Sequence, residues 1–371
     1  YPLGGVVWDY LQYVLGLRQL GHDVYYFEDT EQWPYNPQTG GIGKDCRYNV
    51  EYLSRVMHHF GLDENWAYCF PWKTQWFGLA DDKRQEIIET ADLLINISGV
   101  LPRPEKYRSA KKLVYIDSDP VFTQIRIALG HIKSMVDQHD VFFSIGECLA
   151  ASPDIPDTGH KWIPTRQPIL LSEWHPGKDR REVFTTIMNW TSYKDIEFGG
   201  IKYGQKDSEF KKVLDLPSRV SPGSLELAVN VGKTRHTPID LLKHKGWNIA
   251  DPNEVCPDLE RYREYIGTSK GEFSVAKHGY VAGQSGWFSC RSACYLAAGK
   301  PVVLQETGFS KVLPVGAGLF AFNTLDDAAD AIQQAESDYD RHARAARALA
   351  EEYFDSDRVL TDLINHTLES D

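Results

Sequence analysis

Two sets of residues in this chain have the type and spacing to do chemistry. One is a group of small polar residues ahead of a helix, and the other is a set of carboxylates near the ends of buried strands. The first lies in SGWFSCRSACYLAAGKPVV, residues 285–303, where Ser285, Gly286, Trp287 and Ser289 lead into an apolar helical run that stops at Gly-Lys-Pro and turns into a strand. A helix N-terminus leaves its first amide N–H groups without intrahelical partners and carries about half a positive charge. Phosphate fits there. Gly286 lets the backbone approach a ligand, and Ser285 or Ser289 can cap the helix and donate to a phosphate oxygen. A capped core helix with no ligand explains the same stretch.

The carboxylates are candidates for accepting a proton. Asp9 lies one helical turn beyond the Gly4-Gly5 pair, where the helix dipole also favours an acid for purely structural reasons. Asp117 and Asp119, in YIDSDP, follow a buried strand and enter a carboxyl-end loop, the place where open α/β sheets gather functional groups. Capping of the next helix is their other explanation. Thr191 and Lys194, in NWTSYKD, can reach a phosphate from the loop after another strand, and Lys277-His278 precede the 285–303 stretch closely enough to contact a base or phosphate. The aromatic run WAYCFPWKTQWF, residues 66–77, together with Trp33 and Tyr35, reads as loop segments that mostly fill the core. One or two rings, Trp72 first, are left to stack on an acceptor.

These groups need a scaffold, and the pattern along the chain supplies one. Apolar positions at 10, 11, 14, 15 and 17 mark a first helix, followed by a strand over 23–27. Helices over 50–60 and 82–91 then alternate with strands over 93–97, 113–116 and 141–145. After a polar stretch over 171–181 that reads as a linker, the alternation resumes with strands over 183–188, 225–229, 273–275, 301–305 and 319–322. Strands separated by long helices imply parallel sheets covered on both faces. The chain is therefore expected to be α/β, with two doubly wound Rossmann-like domains facing across a cleft. Their bounds are residues 1–172 and 182–355, with a C-terminal helix over 356–371 packing on the second domain or crossing back to the first. The opening YPLGG reads as the loop after a first strand, so a short strand is expected ahead of residue 1.

Composition narrows the partners. Lys and Arg total 40 against 52 Asp and Glu, a net charge of −12, which disfavours the phosphate neutralisation that nucleic-acid binding relies on. A local anion site built from amides and a few cations remains open. The six cysteines show no CxxC pair and read as reduced thiols of a cytoplasmic protein, with no metal site expected. No apolar run is long enough to span a bilayer. Gly232-Lys233-Thr234 lacks the glycine spacing of a Walker loop.

The 285–303 stretch resembles the donor-nucleotide motif of glycosyltransferases with the two-domain GT-B fold, the likeness resting on Gly286, Trp287, Ser289, Ala293, Gly299, Pro301 and Val303. The opening residues YPLGGVVWDYLQYVLGLRQLGHDVYYF resemble the same family's first loop, helix and strand entry, which would put Gly4 and Gly5 on the acceptor side beside Asp117 and Trp72. The resemblance implies that the helix N-terminus holds the diphosphate of a sugar nucleotide. It also implies that Gln305 and Glu306 face the donor sugar, and that no bound metal is needed. Gln284, Phe288 and Ser292 stand where the motif has His, Asn and the ribose-binding Glu, and Val6 stands where the inverting branch has its basic His. The expected activity is transfer of a sugar from a nucleoside-diphosphate sugar to an acceptor hydroxyl. Asp9 or Asp119 would be the base, and the nucleotide sugar would be a co-substrate rather than a cofactor. A non-hydrolysing sugar-nucleotide epimerase and a catalytically silent binder are the alternatives.

Overall fold

The structure, a computed structural model, describes residues 2–72, 74–230 and 237–369, so residues 232–234 lie outside the described residues. Its first half opens with α1 (Gly4–Gln19), β1 (Tyr26–Glu28), α2 (Arg47–His59), β2 (Trp66–Phe70), β3 (Gln75–Gly78) and α3 (Asp81–Thr90). It continues with β4 (Leu93–Ile97), β5 (Lys112–Asp117), α4 (Phe122–Ala128), β6 (Val141–Ser144) and β7 (Trp162–Pro164). Besides a short antiparallel pair, Tyr35–Asn36 with Gly41–Ile42, these strands form two sheets. One has the order β1-β2-β3, parallel and then antiparallel, and the other is β4-β5-β6-β7, parallel throughout.

The second half holds β8 (Phe184–Asn189), a hairpin of β9 (Ile196–Phe198) and β10 (Ile201–Tyr203), α5 (Lys206–Phe210), β11 (Leu225–Asn230) and α6 (Ile239–His244). Next come β12 (Asn248–Ala250), α7 (Leu259–Thr268), β13 (Gly271–Ser274), α8 (His278–Gly283), α9 (Cys290–Ala297), β14 (Val302–Gln305) and β15 (Leu319–Phe322). Helices α10 (Leu325–Ser337), α11 (Tyr339–Tyr353) and α12 (Ser356–Leu368) complete the chain. The six-stranded sheet is parallel, in the order β12-β11-β8-β13-β14-β15. Its interior strands β13 and β14 are buried at every position, as strands covered on both faces must be. Among the described residues no helix is long and apolar enough to cross a membrane.

The halves share packing. Trp8 of α1 is fully buried, donates its indole N–H to the Leu259 carbonyl at 3.0 Å and lies 5.2 Å from the Trp174 ring. Trp174 comes from the stretch expected to be a polar linker. It is fully buried, and its indole N–H donates to Gln12 Oε1, which also accepts from the Leu170 amide. Burying an indole of that size contributes on the order of 2–3 kcal/mol, which a free linker would forgo. Helix α12 lies against α1: a Cβ added at Gly16 would stand 2.6 Å from Leu360 Cδ1 and 2.9 Å from Ser356 Cβ, so a larger residue there would make these side chains shift. Leu360 and Leu363 enter the apolar cluster of β5 and β6. The 66–77 segment forms strands rather than loops, and Trp66, Tyr68 and Phe70 are buried in it.

Candidate active site at the seam between the halves

Helix α9 forms where the 285–303 pattern places it. Ala293, Cys294, Leu296 and Ala297 are fully buried, and Gly299, at φ +65°, supplies the left-handed residue that ends the helix before Pro301. Its N-terminus carries no side-chain cap. The hydroxyls of Ser285 and Ser292, on fully buried residues around that end, have no hydrogen-bond partner, and neither does the buried hydroxyl of Thr191. A buried, unpaired hydroxyl costs about 1–3 kcal/mol, so each of these groups retains the capacity for a further hydrogen bond. Ser289 is the N-cap residue and is also buried.

Gly286 holds φ +79°, and a Cβ there would meet the Cys148 amide and thiol at 2.9 Å. Its own amide donates to the Thr307 carbonyl at 2.8 Å, so the Gly286 N–H is already spent. The glycine lets this loop press on the first half rather than bare its amide to a ligand. Trp287 stacks on Tyr280 with ring centroids 4.2 Å apart.

Two cations that sequence reasoning passed over stand close by. Arg291, in the first turn of α9, pairs with the fully buried Glu272 at 2.5 Å and donates to the Ile187 carbonyl and to Ser274 Oγ. Its signal in the sequence was an arginine inside an otherwise apolar helix. Lys206 opens α5. Burial drives its ammonium well below its usual range, Arg291 and Lys277 repel it further, and Glu272 opposes the shift. An anion bound here would restore that charge.

The predicted carboxylates separate into three roles. Asp117 is fully buried, and its oxygens accept from the Asp119 amide, Gln124 Nε2 and Ser144 Oγ at 2.8–2.9 Å, so it braces the β5 loop instead of facing an acceptor. Asp119 accepts from Lys277 Nζ at 2.9 Å, Tyr193 Oη at 2.6 Å and Tyr280 Oη. Burial raises its pKa, but the Lys277 charge and these hydrogen bonds outweigh that and hold it below the ordinary value. A carboxylate so stabilised is a poor base, and Asp119 serves as an anchor across the seam. Asp9 differs. One of its oxygens is buried without a partner, and burial lifts its pKa to about 6 against the hydrogen bond from the Cys290 thiol. That bond places Asp9 beside the first residue of α9.

The remaining predicted residues fall on both sides of this cluster. His278 accepts from the Gly204 amide at 3.2 Å, tying α8 to the segment ahead of α5. Gln305 is taken internally: Oε1 accepts from the Ala276 amide at 3.1 Å and Nε2 donates to Glu209. Glu306 accepts from the Gly308 amide. Lys194 is exposed on its loop, away from any ion pair among the described residues, while Trp72 stands apart on the surface against Trp33, ring centroids 5.1 Å apart. A Cβ at Gly4 would lie 2.1 Å from the Asp258 carbonyl oxygen, and one at Gly5 would lie 2.9 Å from the Tyr262 ring. The glycine pair therefore allows α1 to pack on α7.

Comparison with solved structures places this architecture. The chain is similar to Alr3699/HepE of Anabaena, solved in complex with UDP-glucose, at 12% identity and a TM-score of 0.58 over 94% of this chain and 100% of that one. It is also similar to a sucrose-phosphate synthase from Thermosynechococcus elongatus, at 13% identity and a TM-score of 0.55 over 98% of this chain and 93% of that one. A glycosyltransferase from Rickettsia africae matches at 9% identity and a TM-score of 0.52 over 99% and 95% of the two chains. No protein-family model and no curated protein matches the sequence. At these identities the likeness establishes the fold: the chain has the two-domain GT-B architecture, with two Rossmann-like halves.

Proposed function

We propose that the chain is a glycosyltransferase that moves a sugar from a nucleoside-diphosphate sugar to an acceptor hydroxyl, with the donor on the second half and the acceptor on the first. The observation that carries this reading is the uncapped N-terminus of α9 ringed by the unpartnered hydroxyls of Ser285 and Ser292. Amides, hydroxyls and the Lys206 ammonium together suit a leaving diphosphate, whose charge grows as the sugar–oxygen bond breaks. Solved proteins of this fold bind UDP and UDP-glucose, which supports the same ligand class.

In this reading Asp9 takes the proton from the acceptor hydroxyl while the new carbon–oxygen bond forms. Its pKa of about 6 keeps it ionised yet basic near neutral pH. Asp119 and Lys277 close the seam over the reacting groups and exclude water. No resident cofactor enters the scheme, and the transfer is expected to survive chelation of divalent ions in the cytoplasmic setting the cysteine usage suggests. Product analysis with a panel of nucleotide sugars tests the proposal. Free nucleoside diphosphate should form only when an acceptor is present. A changed nucleotide sugar without acceptor would make the chain an epimerase, and binding with neither product would make it a silent binder.

A further inference from the structure

Helix α1 carries two polar residues one turn apart, Asp9 and Gln12, and they meet two thiols one turn apart on α9, Cys290 and Cys294. Gln12 is fully buried, so its carboxamide must find partners inside the protein. Its Oε1 accepts from the Leu170 amide at 3.0 Å and from the Trp174 indole N–H at 3.1 Å. Turning the carboxamide over would set its own N–H groups against those two donors, so its orientation is fixed. Nε2 is thereby aimed at α9, where it donates to Cys290 Sγ at 3.7 Å and to Cys294 Sγ at 3.8 Å. Sulfur is a weak acceptor, so these bonds orient the thiols while adding little stability. With its sulfur engaged by Gln12, Cys290 has its proton left to donate to Asp9. The carboxylate then has one donor on it and one oxygen, Oδ1, buried without a partner.

We infer that Gln12 and Cys290 are positioning residues for Asp9: the carboxamide sets the Cys290 thiol, and the thiol holds one side of the carboxylate so that Oδ1 is left for an acceptor hydroxyl. This rests on Asp9 being the base of the proposed transfer. It also ties that base to the leaving group, because Cys290 is the first residue of α9, whose N-terminus is assigned to the diphosphate. A thiol suits the place. Its weak hydrogen bond leaves the carboxylate basic, whereas a cation there would hold it ionised, as Lys277 holds Asp119. The other titratable groups packed around this contact are Tyr10 and Tyr13 on α1, with Glu28 of β1 acting on Tyr10, Tyr262 on α7 and Arg291 on α9. Burial drives the three tyrosine hydroxyls upward. A hydrogen bond with Cys294, burial and the Asp9 charge push the Cys290 thiol up as well, and Arg291 is committed to Glu272. Asp9 is left to titrate just below neutral pH.

The test follows the carboxylate carbon resonance of Asp9 in the ligand-free protein, assigned by its loss in Asp9→Asn, alongside the pH dependence of kcat/KM. In Cys290→Ala the resonance midpoint should rise from about 6 by about half a pH unit or more, because a donor to the ionised form is removed. The acid limb of kcat/KM should move with it, and kcat should fall by about tenfold while the donor KM stays within about twofold. Cys290→Ser, which keeps a donor, should restore both, and Gln12→Met should act as Cys290→Ala does. If Gln12→Met fails to fold, alkylation of Cys290 by iodoacetamide takes its place. Asp9→Asn should speed that reaction severalfold, since the carboxylate that holds the thiol proton is gone, and an unchanged rate would count against the contact. The same Asp9 midpoint in parent, Cys290→Ala and Cys290→Ser would overturn the inference. So would a loss of turnover in Cys290→Ala that serine does not restore or that lies wholly in the donor KM. A resonance midpoint that moves while the acid limb of turnover stays fixed would instead overturn Asp9 as the base and confirm its contact with Cys290.

Discussion

Asp119 of the first half and Lys277 of the second meet across the seam with 2.9 Å between carboxylate and ammonium, and Tyr193 and Tyr280 donate to the same carboxylate. Both ion-pair side chains are at most one-fifth exposed, 20% and 15%, so the pair is screened less than a surface bridge. The loop that carries Asp119 is held by Asp117 from below, and the helix that follows Lys277 carries Tyr280, on which Trp287 stacks. The seam is thus one connected structure running from the β5 loop to the start of α9.

Replacing Asp119 with Asn should destabilise the chain by about 2–3 kcal/mol, because Lys277 is left partly buried without its counter-ion. The pH dependence has a definite sign. Asp119 has a lowered folded-state pKa, so its contribution is complete above the unfolded value near 4 and disappears as the pH falls through the lower folded value. Urea unfolding at pH 7 and at pH 3 should show the Asn variant losing ground at the first and matching the parent more closely at the second.

Asp9→Asn should lower turnover by about 10²–10⁴-fold while nucleotide affinity stays unchanged. Here the linkage runs the other way. The folded pKa near 6 lies above the unfolded value, so ionising Asp9 costs stability progressively as the pH rises from about 4 to 6. The Asn variant is therefore expected to unfold no more easily than the parent at pH 7.5, and the parent's activity should fall with an apparent pKa near 6 on the acid side. Turnover within about threefold of the parent would remove Asp9 as the base.

Ser285→Ala and Ser292→Ala separate a ligand role from a packing role. Each removes a buried hydroxyl that has no partner in the free protein, so stability without ligand should hold or rise by up to about 1 kcal/mol. Affinity for a nucleoside diphosphate should fall by about tenfold per substitution. Gly286→Ala should instead lower stability by about 1–3 kcal/mol even without ligand, since it forces a left-handed alanine against Cys148. Calorimetric titration and thermal unfolding of the same samples read both effects.

Trp72→Ala and Trp33→Ala should change stability by less than about 0.5 kcal/mol, because both rings are exposed, at 53% and 38%. If the pair contributes to acceptor binding, the KM for acceptor should rise severalfold with the donor KM unchanged. Steady-state kinetics with each substrate varied in turn distinguishes the two.

The alternation of strands and helices, and the helix over 290–297 in particular, was legible because periodicity and the Gly-Lys-Pro stop are local signals. The aromatic run over 66–77 reads as loop in the sequence, whereas it forms β2 and β3 with a tight turn between them. Distant partners decided the rest. Asp119 reads as a base until Lys277, far along the chain, stands beside it, and Gln305 reads as a sugar ligand until Glu209 and Ala276 occupy its amide. The Gly4-Gly5 pair carried no mark distinguishing approach to a ligand from approach to helix α7. Lys206 needed the fold to show that a single lysine beside Gln205 would be buried near Arg291.

The central claim is that the start of α9 holds a diphosphate. The most direct measurement is thermal unfolding of the chain with a nucleoside, its monophosphate, its diphosphate and the corresponding diphosphate sugars, repeated on the Ser285→Ala/Ser292→Ala double variant. The account predicts stabilisation by the diphosphate species, about 2.7 kcal/mol at a hundred times Kd, with little from the nucleoside and a much smaller shift in the double variant. No stabilisation by any nucleoside diphosphate or its sugar at millimolar concentration, or an equal shift in the double variant, would contradict it.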